Sequence, residues 1–211
     1  MASTLLERRN PVLAQDRAED LLDNWRKYGY GMFPQQRAIY RGIAERLGQV
    51  HWVLEAGCGN GQGAHILCRH SGPRAVWATD KIESNIVFAR ELYGADGLLT
   101  FRAWDVETPW DGPNFPVVVA VEVVEHVANP VAALRHLLAA ATEEVWLSTP
   151  NGNGKPRPPE NPHHVCEYTP LEMTQMLHNV GAGSIEILSW KYFERQDVNT
   201  TIDPLVYRVR K

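Results

Sequence analysis

Four glycines, Gly57, Gly59, Gly61 and Gly63, follow an apolar run, Trp52-Val53-Leu54, that ends in an acid, Glu55. Glycines at the end of a strand let the backbone turn tightly and let a ligand approach closely. The helix expected to open behind them offers unpaired N–H groups. The dinucleotide pattern asks for a third glycine three positions after the second. Here the spacing is Gly57-x-Gly59-x-Gly61, with a carboxylate just ahead of it. That carboxylate repels a pyrophosphate and attracts an amino-acid ammonium, so the charge favours S-adenosylmethionine over NAD. Two more acids follow the next two apolar runs, Asp80 after AVWAT and Asp105 after LLTFRAW. A carboxylate at the second strand end can take both ribose hydroxyls. Asp105 can accept from an adenine amino group while Val106 lies along the ring, although a turn acid would look the same in sequence.

The second constellation is Glu122-x-x-Glu125-His126. If a helical turn begins at Glu122, the three side chains fall at i, i+3 and i+4, on one side. Two carboxylates and an imidazole form half of a divalent metal site. Oxygen ligands suit Mg²⁺ or Mn²⁺, and imidazole also admits Zn²⁺ less favourably. Further ligands must come from elsewhere, and the stretch 150–167, rich in Pro, Gly and Asn, supplies His163 and His164. A metal would lower the pKa of a hydroxyl nucleophile. Alternatively a histidine takes the proton, with His126 and His163 as candidate bases. On a plainer reading Glu122 lines the cofactor pocket and His126 is a base or a packed side chain.

Positioning these groups requires alternating elements. Apolar runs at 51–56, 75–79, 98–103, 116–121 and 144–148 read as strands, with helices at about 61–70, 84–93 and 130–141 between them. Continuous apolar strands separated by helices indicate a parallel sheet covered on both faces. A helix at 170–180 and strands at 184–190 and 204–210 complete seven strands. Ahead of the sheet, helices at 16–29 and 34–48 form a cap over residues 1–50, the second starting at Pro34. The core unit is then 51–211. The aromatic cluster Trp25, Tyr28, Tyr30 and Phe33 could line the crevice or simply pack. Segment 191–203 reads as a lid or a connector. The other tryptophans, Trp104, Trp110, Trp146 and Trp190, read as core.

In order and spacing, VLEAGCGNG, ATD, AWDVE and AVEVVEHV resemble the motif series of class I S-adenosylmethionine-dependent methyltransferases, over roughly residues 50–190. The resemblance implies an α/β, Rossmann-like, mostly parallel seven-stranded sheet with an antiparallel last strand and helices on both faces. It places Glu55 and the glycines near the methionine moiety, Asp80 on the ribose and Asp105 near adenine. The full cofactor set is Glu55, Gly57, Cys58, Gly59, Gly61, Asp80, Lys81, Asp105, Val106 and Glu122. The E-x-x-E-H block, with a later H-x-x-E-Y-T, also resembles two narrower groups. In the small-RNA 3′-terminal 2′-O-methyltransferases the corresponding ligands fall on Glu122, Glu125, His126 and His164. The ubiquinone-pathway O-methyltransferases likewise imply a bound divalent ion.

The net charge of −4 gives no bulk attraction to nucleic acid, whose phosphates normally dominate affinity. A small-molecule acceptor, methylated on a hydroxyl oxygen, is therefore expected ahead of RNA ribose, and ahead of a catalytically silent cofactor-binding subunit. Three cysteines without framework spacing read as free thiols. With no signal-like segment and no apolar run near about 18 residues, the expected location is the cytoplasm, with no membrane span. Oligomeric state is not legible.

Overall fold

Strand β1 (Trp52–Ala56) lies next to the central strand of a seven-stranded sheet of order β3-β2-β1-β4-β5-β7-β6. The computed structural model describes residues 32–72, 74–190 and 204–211. Strands β2 (Ala75–Asp80), β3 (Leu99–Ala103), β4 (Phe115–Val121) and β5 (Ala141–Thr149) pair in parallel with their neighbours. Strand β7 (Leu205–Arg210) runs antiparallel between β5 and β6 (Ser184–Ser189). The order reverses between β1 and β4. Open α/β sheets bind ligands at such a switch point, beyond the carboxyl ends of the strands.

The apolar runs become strands because both faces are covered. Along β4, Val117 and Val119 enter one core with Val53, Ile39, Ile43, Ala64, Leu67 and Ile86. Val118 and Ala120 enter the other with Leu54, Leu134, Leu137, Met173 and Tyr207. Helices α1 (Pro34–Arg46), α2 (Gln62–Arg69) and α3 (Glu83–Tyr93) therefore cover one face, and α4 (Pro130–Ala140) and α5 (Pro170–Asn179) the other. Each side chain buried at these sites contributes about 1.5–3 kcal/mol relative to exposure.

The helix boundaries follow local chemistry. Helices α1, α4 and α5 begin at a proline, whose missing N–H costs nothing in the first turn. Asn129 caps α4 by accepting from Ala132 N–H at 3.0 Å. Thr169 and Glu172 form a reciprocal capping box on α5. Strand β5 is longer than the apolar pattern predicts, 141–149 rather than 144–148. Helix α4 passes into it without a loop, and Ala141 pairs with Phe115 across a register shift. Pairing there overrides the helical propensity of the alanines.

The expected cap helix at 34–48 is α1. The expected helix at 16–29, the aromatics Trp25, Tyr28 and Tyr30, and segment 191–203 lie outside the described residues. No helix among the described residues is long and apolar enough to cross a membrane.

Candidate cofactor and acceptor site

The glycine turn is tied to the neighbouring strand. Gly57 N–H and Cys58 N–H both donate to Thr79 O, at 2.7 and 2.8 Å. Gly57 has φ +76°, and a Cβ there would stand 2.5 Å from Val123 Cγ2. Only glycine tolerates both conditions. Asp80, at the end of β2, accepts Gly59 N–H with Oδ2 at 2.9 Å. Its Oδ1 accepts Ile82 N–H at 2.9 Å and Asn85 Nδ2–H at 3.2 Å. One carboxylate thus fixes the turn and starts α3, and Oδ2 keeps a further lone pair for a ligand.

An open cavity lies here, lined by Gly57, Asp80, Lys81, Trp104, Val106, Glu122, Val123, His126 and Val127. Six residues expected at the site from sequence share that wall: Gly57, Asp80, Lys81, Val106, Glu122 and His126. Trp104, Val123 and Val127 were not among them. Trp104 could have been found from its place beside Asp105, since apolar residues flanking a strand-end acid face the same crevice.

Other expected residues sit elsewhere. Glu55 is fully buried behind the turn. A Cβ on Gly63 would come 2.4 Å from Glu55 Oε1 and 2.2 Å from Tyr40 Cζ, so α2 packs directly over the carboxyl. Burial pushes the Glu55 carboxyl up to about 8, against the pull of the Tyr40 phenol, and Asp80 adds to the rise. Burial, Glu55 and Asp80 likewise hold the Cys58 thiol well above its ordinary value, so it stays protonated. Gly61 is the N-cap residue of α2 and donates to Cys58 O at 2.9 Å. Asp105 is used as a turn acid. Its Oδ1 accepts Glu107 N–H at 3.0 Å, and its carbonyl accepts from Thr108 N–H and Oγ1–H. Its neighbours Trp104 and Val106, not Asp105, form the cavity wall.

The acid–histidine constellation is built differently from the single helical turn expected at Glu122. Glu122 has φ +55°, a left-handed conformation uncommon for a residue with a side chain. The 3₁₀ turn begins only at Val124 and runs to His126. This backbone break turns Glu122 away from the face of Glu125 and His126. The Glu122 carboxylate accepts Ser148 Oγ–H at 2.7 Å, and Glu122 N–H donates to Ser148 O at 3.1 Å. Strained backbone held by neighbours in this way concentrates at functional sites.

Glu125, His126 and His164 offer ligand atoms within 4.8 Å of one another, and Glu122 falls outside that group. Glu125 is fully buried, and neither carboxylate oxygen makes a hydrogen bond. Burial and the charge of Glu122 raise its carboxyl well above the usual range. The His126 and His164 rings meet edge to face at 4.8 Å. His126 Nδ1–H donates to His163 O at 2.8 Å, leaving Nε2 as the lone-pair nitrogen, 4.0 Å from Glu125 Oε1. His163 is an exposed residue, and its carbonyl receives the His126 ring. The long loop is pinned to the 3₁₀ turn a second time, because Val165 N–H donates to Glu125 O at 2.7 Å.

Residues 54–147 match the family described as methyltransferase domain. That stretch takes in a little under half of the chain. The chain is 29% identical, over 161 residues, to a probable S-adenosylmethionine-dependent methyltransferase of Mycobacterium tuberculosis, covering 74% of this chain and 56% of that protein. The chain thus spans little more than half the length of that curated relative. A ubiquinone biosynthesis O-methyltransferase of Roseobacter denitrificans is 37% identical over 108 residues, 49% of this chain and 42% of the relative. Among solved structures, a TehB-like S-adenosylmethionine-dependent methyltransferase from Corynebacterium glutamicum superposes with a TM-score of 0.71 at 18% identity, covering 96% of this chain and all of that one. The seven-stranded sheet, with β7 reversed, agrees with that likeness.

Proposed function

We propose that this chain transfers a methyl group from S-adenosylmethionine to a hydroxyl oxygen of a small-molecule acceptor. The observation that carries the reading is one cavity wall shared by Asp80, Val106, Glu122 and His126, at the switch point of the sheet. The residues fit the methyl donor: Gly57 lets a ligand approach the backbone, Asp80 Oδ2 keeps a lone pair for a ribose hydroxyl, and Trp104 and Val106 offer apolar faces for a purine. The buried Glu55 carboxyl, beside the Tyr40 phenol, is the group for the ammonium end.

Bound S-adenosylmethionine supplies an electrophilic methyl carbon on a sulfonium. The protein's work is then alignment and proton removal. His126 is the base of this reading. Its Nδ1–H is held by the His163 carbonyl, so Nε2 accepts the acceptor's proton. Glu122, fixed by Ser148, orients the reacting groups at the cavity wall.

A divalent ion is the alternative to the histidine base, because one Nε2 lone pair cannot both hold a cation and accept a proton. Its donors are Glu125, His126 and His164, one carboxylate and two imidazoles, with Glu122 beside them. Two unsatisfied buried carboxylate oxygens are costly without a partner, and a cation would relieve them. Mn²⁺ and Mg²⁺ suit the carboxylate, and imidazole admits Zn²⁺. Such an ion would lower the pKa of an acceptor hydroxyl.

The test is calorimetry with S-adenosylmethionine, followed by methyl-transfer assays on catechols, simple phenols and a 3′-terminal RNA duplex. Binding plus transfer to a catechol or phenol is the expected result. Absence of binding overturns the cofactor assignment, and transfer to RNA alone overturns the small-molecule acceptor.

A further inference from the structure

The loop after β5 fixes the chemical state of one imidazole through a chain of hydrogen bonds whose donors and acceptors can be assigned in sequence. Asn161 Oδ1 accepts His163 N–H at 3.0 Å. That contact turns Asn161 Nδ2 toward His164 Nε2, 3.0 Å away. An amide nitrogen only donates, so His164 Nε2 carries the lone pair and the ring proton resides on Nδ1. His164 Nδ1 lies 2.7 Å from Glu167 Oε1, an acceptor. Lys155 Nζ is 2.8 Å from the other Glu167 oxygen. The two central side chains are nearly enclosed, His164 at 11% and Glu167 at 9% exposure. Each partner constrains the next, and none of these contacts belongs to the cofactor cavity.

We propose that Asn161 and Glu167 are positioning residues that fix His164 in the Nδ1–H tautomer, with Lys155 anchoring Glu167. The consequence is a lone pair on Nε2 at the acceptor side of the site, exchangeable from the Asn161 amide to an acceptor hydroxyl or a divalent ion. The other tautomer would set a ring N–H against the amide N–H and offer nothing to either. Which ring nitrogen carries the proton is set by the hydrogen bond its partner makes. Imidazole ligands in metal sites are oriented in the same way by a carboxylate on the second nitrogen. The functional consequence rests on the methyl-transfer reading above, and the tautomer itself does not.

Long-range ¹H–¹⁵N correlation spectra of the histidine rings test this in the full chain, with no added metal or cofactor and with His164 assigned through His164→Gln. The wild-type ring should show its proton on Nδ1. Asn161→Asp, at an exposed position, replaces a donor by an acceptor and should move a proton onto Nε2. Glu167→Gln keeps an acceptor oxygen for Nδ1–H and should preserve the wild-type pattern, whereas Glu167→Ala should lose it. If Glu167→Ala fails to fold, Asn161→Asp decides alone. A wild-type proton on Nε2, or an Asn161→Asp ring indistinguishable from wild type, overturns the assignment. Where transfer is measured, Asn161→Asp should lower kcat at least tenfold with S-adenosylmethionine affinity unchanged. An unchanged kcat severs the tautomer from catalysis while leaving methyl transfer standing.

Discussion

Asp80 Oδ2 holds the amide of Gly59 at 2.9 Å, across 21 residues of chain. The contact joins the end of one strand to the turn after another, so the carboxylate shapes the donor pocket before any ligand arrives. A hydrogen bond to a charged group contributes about 1.5–3 kcal/mol. Asp80→Ala should therefore weaken S-adenosylmethionine binding by roughly 10–100-fold, read by calorimetry. Asp80→Asn keeps one acceptor and should lose less.

Gly57→Ala meets two obstacles, φ +76° and a contact of 2.5 Å with Val123 Cγ2. The left-handed conformation alone costs about 1–2 kcal/mol for a residue with a Cβ. Urea unfolding should show at least that loss, together with loss of cofactor binding. The double variant Gly57→Ala/Val123→Ala removes the clash but not the strain, and should recover only part of the stability.

The buried Glu55 carboxyl predicts a pH dependence. Its folded value of about 8 lies above the ordinary 4.5, so the native state holds the proton more tightly than the unfolded chain. Its contribution to stability is fully present below pH 4.5 and is lost as pH rises through about 8. The loss is at most about 1.4 kcal/mol per pH unit from one group. Denaturant titrations of Glu55→Gln should be flatter than wild type across that window. The same variant should bind S-adenosylmethionine more weakly, because it cannot become the anion that faces an ammonium.

The acid–histidine cluster predicts ion binding. Mn²⁺ titrations followed by electron paramagnetic resonance should show one site in the wild type. Glu125→Gln and His126→Gln should each weaken it at least tenfold. Ser148→Ala, which frees the Glu122 carboxylate without touching the three ligands, should change Mn²⁺ affinity far less. Wild-type protein that leaves the free Mn²⁺ signal unaltered would sink the metal site.

The sheet was legible because buried parallel strands must be apolar throughout. Runs such as Val117–Val121 have no other stable placement between helices. The glycine turn after β1 was legible for a related reason, since strand-end acids and glycines are constrained by backbone geometry. The turn contact of Asp105 was not legible, because an acid that closes a turn and an acid that contacts a ligand look identical in sequence. Glu122 was placed on a helical face because periodicity assumes continuous backbone, and a single residue at φ +55° breaks it. Trp104 was assigned to the core, where it is indeed buried at 7% exposure, yet it also lines the cavity. The partners Ser148, Asn161 and Glu167 carried no signal, because their roles depend on contacts across long stretches of chain.

The main-chain carbonyl of Glu125 receives the amide of Val165, and the His163 carbonyl receives the His126 ring. The loop docks largely through backbone atoms, and backbone atoms are common to every amino acid. The linked side chains Asn161, His164 and Glu167 must stay, but exposed ones such as Glu160 and Val165 can be exchanged while the loop keeps its seat. On the proposed reading, the donor side from Gly57 to Val106 is untouched by such changes. Acceptor choice and donor binding would then be separately heritable traits, carried by different stretches of one gene.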